Sequence, residues 1–146
     1  MDERTFRRLE GLCKAAWFIM SITGQGYKPQ FLADFEYMCP ACTIANSTKK
    51  SDYCSCSLCP IDCWREQKDA ELYDGSICDS GKRAYERWRC AIAIEERKQA
   101  AKEIYKMKWS YLPEYAGIAF LSHDSLPELE QIAILQITEV ISEFEL

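Results

Sequence analysis

The chain has 146 residues, 48% of them hydrophobic, and a formal net charge of -5. That is enough apolar material for one domain with its own core, so small size alone does not demand a stabilising metal. Nothing approaches the run of roughly 18 apolar residues that a membrane-spanning helix needs, and the opening Met1-Asp2-Glu3-Arg4-Thr5-Phe6-Arg7-Arg8 carries charges of both signs where a secretory signal would be apolar.

The expected setting is therefore a reducing cytoplasm, where cysteine clusters bind metals rather than pair as disulfides. Nine cysteines, an odd number, cannot all pair within the chain in any case. The charge is divided along the sequence. All 18 Lys and Arg residues lie at or before Lys108, whereas Glu114, Asp124, Glu128, Glu130, Glu139, Glu143 and Glu145 follow it. A basic middle and an acidic tail result.

In chain order, Phe6, Leu9, Cys13, Ala16, Trp17 and Met20 recur at spacings of three and four and predict an amphipathic helix over 3–22. Thr23-Gly24-Gln25-Gly26-Tyr27-Lys28-Pro29 ends it in a loop. Residues 38–81 hold seven of the nine cysteines among Ser, Asn, Asp, Gly and Pro, with no sustained period. Such a stretch buries too little to order itself and needs something else to hold it. Helical spacing returns over 82–109, with Tyr85, Trp88, Ile92, Ile94, Ala101, Ile104 and Tyr105 forming an inward stripe and a phase shift near 93–96 marking a bend. Pro113 closes this element. Residues 115–121 are too short to assign. Ser125-Leu126-Pro127-Glu128 reads as a capping box, and Leu126, Leu129, Ile132, Ala133, Ile137, Val140, Ile141 and Phe144 follow at helical spacing.

The chemical signal lies in Cys39-Pro40-Ala41-Cys42 and, after thirteen intervening residues, Cys56-Ser57-Leu58-Cys59. Two thiolates three residues apart in a tight turn reach one ion, and two such knuckles complete the tetrahedron that zinc prefers. Four sulfur ligands close the site to water, so it would scaffold rather than catalyse. Cys54, Cys63 and Cys78 are alternates for one ligand, or simple reduced thiols. A redox dithiol at Cys39 and Cys42 lacks the preceding strand such motifs use. An iron-sulfur cluster would take the same thiolates. A zinc deaminase would need an H-x-E element, and the single histidine, His123, stands in Ser122-His123-Asp124-Ser125. The four tryptophans, Trp17, Trp64, Trp88 and Trp109, read as core rather than as base-stacking platforms.

Trp17, the two knuckles with Pro60-Ile61, Cys78, Tyr85-Glu86-Arg87-Trp88 and Glu95-Glu96-Arg97-Lys98 together resemble a group of short, cysteine-rich zinc-binding proteins encoded by bacteriophages and prophages. The likeness spans roughly residues 10–112. It implies zinc on Cys39, Cys42, Cys56 and Cys59, with Cys78 as a possible alternate ligand, and no particular activity. Cys54, Cys63 and everything from Pro113 onward depart from it. The expected architecture is mostly α: a small helical domain at 1–112, built around a loop-rich four-cysteine zinc module, and an acidic helical extension at 113–146.

The expected role is that of a non-enzymatic phage accessory protein that binds, and modulates or inhibits, a host protein in the host cytoplasm. Leu129, Ile132, Ile137, Val140 and Phe144 would form the partner-binding or dimerising surface, unless that face packs on the core. The alternative is a zinc-knuckle nucleic-acid-binding regulator using Lys82, Arg83, Arg87, Arg89, Arg97, Lys98, Lys102 and Lys106, interrupted by Glu86, Glu95, Glu96 and Glu103 and opposed by the acidic tail. No nucleophile with a base, paired carboxylate or phosphate loop presents itself, so an enzyme is not expected.

Overall fold

The structure, a computed structural model, describes residues 1–35, 39–47, 58–65, 79–118 and 125–144. Among them are five α-helices, and the nearest approach to a sheet is an isolated antiparallel bridge between Ile61 and Trp109. The mostly helical expectation holds. No described helix is long and apolar enough to cross a membrane.

Helix α1, Glu3–Thr23, is the axis of the fold. Asp2 starts it by accepting the Thr5 amide at 2.7 Å, satisfying one orphan donor. Gly24 ends it in the left-handed conformation, φ 70°, with its amide donating to Met20 O at 3.0 Å. Its buried face carries Leu12 and Ile19 as well as the expected residues. It is wide because α1 packs against helices α2, Pro40–Ser47, α4, Ile94–Tyr105, and α5, Leu126–Glu143.

Helix α2 lies inside the stretch read as loop. Pro40 at its first position brings a φ already suited to a helix, and Ala41, Ile44 and Ala45 form a small buried face. Two turns are too short to declare a period against their polar surroundings. Helix α3, Asp79–Cys90, then leads to α4 across a true break rather than a bend, with Ala93 extended at φ -81°, ψ 135°. Arg97 fastens this corner by donating to Gly24 O at 3.1 Å and to Ala91 O at 2.8 Å. The break corrects the inward stripe: Trp88, Ala101 and Ile104 are buried, but Ile92 is 98% exposed and Ile94 57%. α4 ends at Tyr105, well before Pro113, which instead opens a 3-10 turn at Pro113–Gly117.

That turn buries Tyr115 completely. The Phe6 ring meets Trp109, Tyr111 and Tyr115 at centroid distances of 5.7, 5.3 and 5.5 Å. The α-amino nitrogen of Met1 donates to the carbonyls of Tyr115, Ala116 and Ile118 at 2.7, 2.7 and 2.8 Å. Helix α5 packs along α1 and buries only Leu126, Ala133 and Val140. The expected capping box is absent: Ser125 is already helical at φ -85°, ψ -17°, and makes no side-chain cap. An N-cap hydroxyl reaches the amides of the second or third helical residue from an extended backbone, and the second here is Pro127, which has no N–H.

Candidate metal centre

Cys39 stands immediately before α2 and Cys42 within its first turn. The turn is tight, with the Cys42 amide donating to Cys39 O at 3.3 Å. The side chains of Cys39 and Cys42 are hydrogen-bonded, and the Ala41 amide donates to the Cys39 sulfur. An amide aimed at a sulfur two residues back stabilises it as a thiolate. Behind this knuckle Cys13 of α1 hydrogen-bonds to Cys39. Cys13 and Cys39 are buried, Cys42 half-buried.

Crowded, buried sulfurs resist ionisation. Cys13 pushes the Cys39 thiol well above its ordinary value, and burial adds to this against the Cys42 hydrogen bond and the Ala41 amide. Cys39 in turn pushes Cys42 up, with burial again adding. A divalent cation reverses that balance, because it neutralises the very thiolates that repel one another. Cys39 and Cys42 could thus supply two ligands to such an ion.

The second knuckle is represented by Cys59 alone. It is buried, and its backbone is clamped from three sides. Arg65 Nε donates to Cys59 O at 3.0 Å, the Tyr115 hydroxyl donates to Leu58 O at 2.7 Å, and the Ser110 amide donates to Pro60 O at 2.9 Å. Cys56, Cys54, Cys78 and His123 lie outside the described residues. Cys63 is half-buried on the 3-10 turn Asp62–Trp64, and Cys90 is exposed at the end of α3. Thiol contacts run pairwise, Cys13 to Cys39 and Cys39 to Cys42. Among the described residues, no three His, Cys, Asp or Glu side chains converge into a group that could hold a metal ion.

An aromatic wall stands beside the first knuckle. Trp17 and Trp88 meet edge to face at 5.1 Å, Tyr85 lies 5.7 Å from Trp88, and Trp64 lies 5.6 Å from Tyr85. Burial raises the phenol of Tyr85, with Cys42 and Cys39 contributing behind the opposing Arg89, which places the knuckle within electrostatic reach of this ring. The Trp64 indole also sits against Gly81 of α3, where any Cβ would collide with it. Only glycine permits that approach. Trp17, Trp88 and Trp109 are buried and Trp64 half-buried, as core tryptophans should be.

Helix α5 distributes the expected partner residues unevenly. Val140 is buried in the seam, Leu129 and Ile137 are half-buried against the core, and Ile132 and Phe144 are exposed at 44% and 40%. Ile134 and Leu135, not singled out by the spacing, are exposed at 59% and 58%. Their positions flank the narrow seam, a distinction that needs knowledge of which neighbours α5 meets. Between α1 and α5 an open groove of about 620 Å³ is lined by apolar Leu12, Ile134 and Ile137 and by charged Arg4, Arg7 and Glu130.

The basic helices are partly committed. Arg87 of α3 pairs with Glu103 of α4, Lys98 pairs with Glu95 at 3.3 Å, and Arg97 serves the backbone of the α3–α4 corner. Compared with known protein families, curated proteins and solved structures, the chain matches none.

Proposed function

We propose that this chain is a zinc-stabilised binding protein without catalytic activity, and that its working surface is the outer face of α5. The supporting observation is the way α5 is held. An 18-residue helix is anchored through a seam of three buried residues, which leaves Ile132, Ile134, Leu135 and Phe144 exposed beside Glu128, Glu139 and Glu143. Scattered surface apolar residues need no explanation, but a helix that exposes this many and whose own charges are all acidic suits a partner of complementary chemistry. The partner would offer an apolar groove rimmed by Lys and Arg. In the phage setting that the cysteine pattern suggests, this is a host protein that the chain modulates or inhibits.

Zinc on Cys39, Cys42, Cys56 and Cys59 would supply folding free energy to the cysteine-rich half and hold α2 against α1. It would take no part in a reaction. The nucleic-acid reading receives less support, because Arg87, Arg97 and Lys98 have partners within the fold.

The test pairs two variants at exposed sites, Ile132→Asp and Leu135→Asp, with native mass spectrometry of complexes formed in host lysate. A stoichiometric protein partner, lost in both variants while metal content and melting temperature stay unchanged, is the expected result. A partner retained by both variants, or duplex DNA or RNA bound in its place, would overturn the assignment.

A further inference from the structure

We propose that the turn at 115–118 is a receptor for the unblocked α-ammonium group of Met1, so that an acyl group or a preceding residue on that nitrogen unseats the turn and, through Tyr115, the Leu58–Cys59 segment. Neither a metal nor the outer face of α5 enters into it.

The Met1 nitrogen donates to the carbonyls of Tyr115, Ala116 and Ile118 at 2.7, 2.7 and 2.8 Å. An ammonium group has three N–H donors, and three carbonyls take them all, at distances typical of charge-assisted bonds. Met1 is 6% exposed, and a charge so far out of water is costly unless fully hydrogen-bonded. The other end of the residue is held as well, because the Tyr111 hydroxyl donates to Met1 O at 2.6 Å. The acceptors come from the end of the 3-10 turn Pro113–Gly117, where the last backbone carbonyls run short of internal donors.

The dipole of α1 speaks against a merely frayed start. A positive charge just ahead of the helix opposes the positive end of that dipole, which Asp2 and Glu3 suit instead. Acetylation of an ordinary helix start removes the unfavourable charge and favours the helix. A seat of three carbonyls reverses the sign. An acetyl amide keeps one N–H of three, carries no charge, and adds bulk where three oxygens already close on the nitrogen.

Tyr115 carries the effect onward. Its buried ring stacks on Phe6 of α1 at 5.5 Å, and its hydroxyl donates to Leu58 O at 2.7 Å, one residue before Cys59. Withdrawing the ammonium frees the Tyr115 backbone, and the hydroxyl then loses its fixed distance to Leu58. The chemical state of one nitrogen is thereby coupled to the cysteine-rich stretch.

The test compares three full chains by residue-resolved amide hydrogen exchange: one with a free Met1 amine, one N-acetylated at Met1 by semisynthesis, and one with a single glycine placed before Met1. The probes are the Tyr115, Ile118, Asp62 and Trp64 amides, which donate to Leu112 O, Tyr115 O, Lys108 O and Ile61 O. They should exchange about tenfold faster in both altered chains, while the amides of α4 keep their protection. Tyr111→Phe should produce part of this loss in the free-amine chain and almost none in the acetylated one, since both changes act on one seat. Protection unchanged or increased by acetylation would make Met1 an ordinary helix start and overturn the proposal. Faster exchange spread evenly through α1, α4 and α5 would overturn the local seat, and a Tyr111→Phe effect that adds in full to acetylation would overturn the shared one. A chain isolated from cells with residues ahead of Met1, yet fully protected at Tyr115 and Ile118, would also contradict it.

Discussion

Gly24 sits where α1, the α3–α4 corner and Arg97 meet. Its φ of 70° is costly for any residue with a side chain, and a Cβ would collide with Ile94. Gly24→Ala should therefore lower stability by about 1–3 kcal/mol, seen as an earlier urea midpoint with unchanged slope. An unshifted midpoint would show that the corner is not held against α1. Tyr115 adds a pH dependence. Burial pushes its phenol above the ordinary range, with Arg65 opposing and Cys59 reinforcing. The folded state thus holds the phenolic proton more tightly than the unfolded chain does. That stabilisation is complete below the ordinary tyrosine value of about 10 and is lost as pH rises above it. Tyr115→Phe should cost about 1 kcal/mol at neutral pH, because it removes the bond to Leu58 O, and should reduce the alkaline fall in melting temperature. At this scale the sequence was readable where one residue type has one use. Gly24 before Pro29 ended a helix as expected, whereas nothing in the spacing of Cys13 and Cys39 announces that they touch.

The helices were legible in proportion to their length and period. α1 and α5 both show in the apolar spacing, and α1 ends at Thr23, one residue beyond the expected 22. α2 was missed because two turns with alanine and cysteine on the inner face carry almost no periodic signal. The fate of Ile92 and Ile94 was misread for another reason: the phase shift near 93–96 suggested a bend in one helical element, and the chain instead breaks fully at 91–93 and leaves both exposed. Burial also separates residues that spacing treats as equal on α5. Val140→Asp should destabilise by about 3 kcal/mol or more by burying an unpaired carboxylate, while Leu135→Asp should stay within about 0.5 kcal/mol, both measured by thermal unfolding. Equal effects would mean that α5 is seated differently on α1. Trp17→Ala, which removes the ring between α1 and α3, should cost about 3–5 kcal/mol in the same measurement.

Across the whole molecule, one apolar core built on α1 reaches α2, α3, α4 and α5 and includes Tyr115 from the C-terminal stretch. Composition and spacing had residues 38–81 lacking the apolar content to fold by burial, yet Ala41, Ile44 and Ile61 of that stretch are buried in the same core. Nor could composition and spacing say which thiols meet, because ligand choice depends on how the knuckle sits on α1. If metal holds this region, Cys42→Ser should behave like metal removal: α2 loosens and the aromatic signal of Trp17 and Trp88 changes, while the α1–α5 packing persists. The most direct test is the metal content of the purified chain by native mass spectrometry, read beside its thermal unfolding with and without a chelator. The account predicts one zinc per chain, lost in Cys42→Ser, and a lower melting temperature once the ion is stripped. A chain that carries no zinc and unfolds at the same temperature with or without the chelator would contradict it.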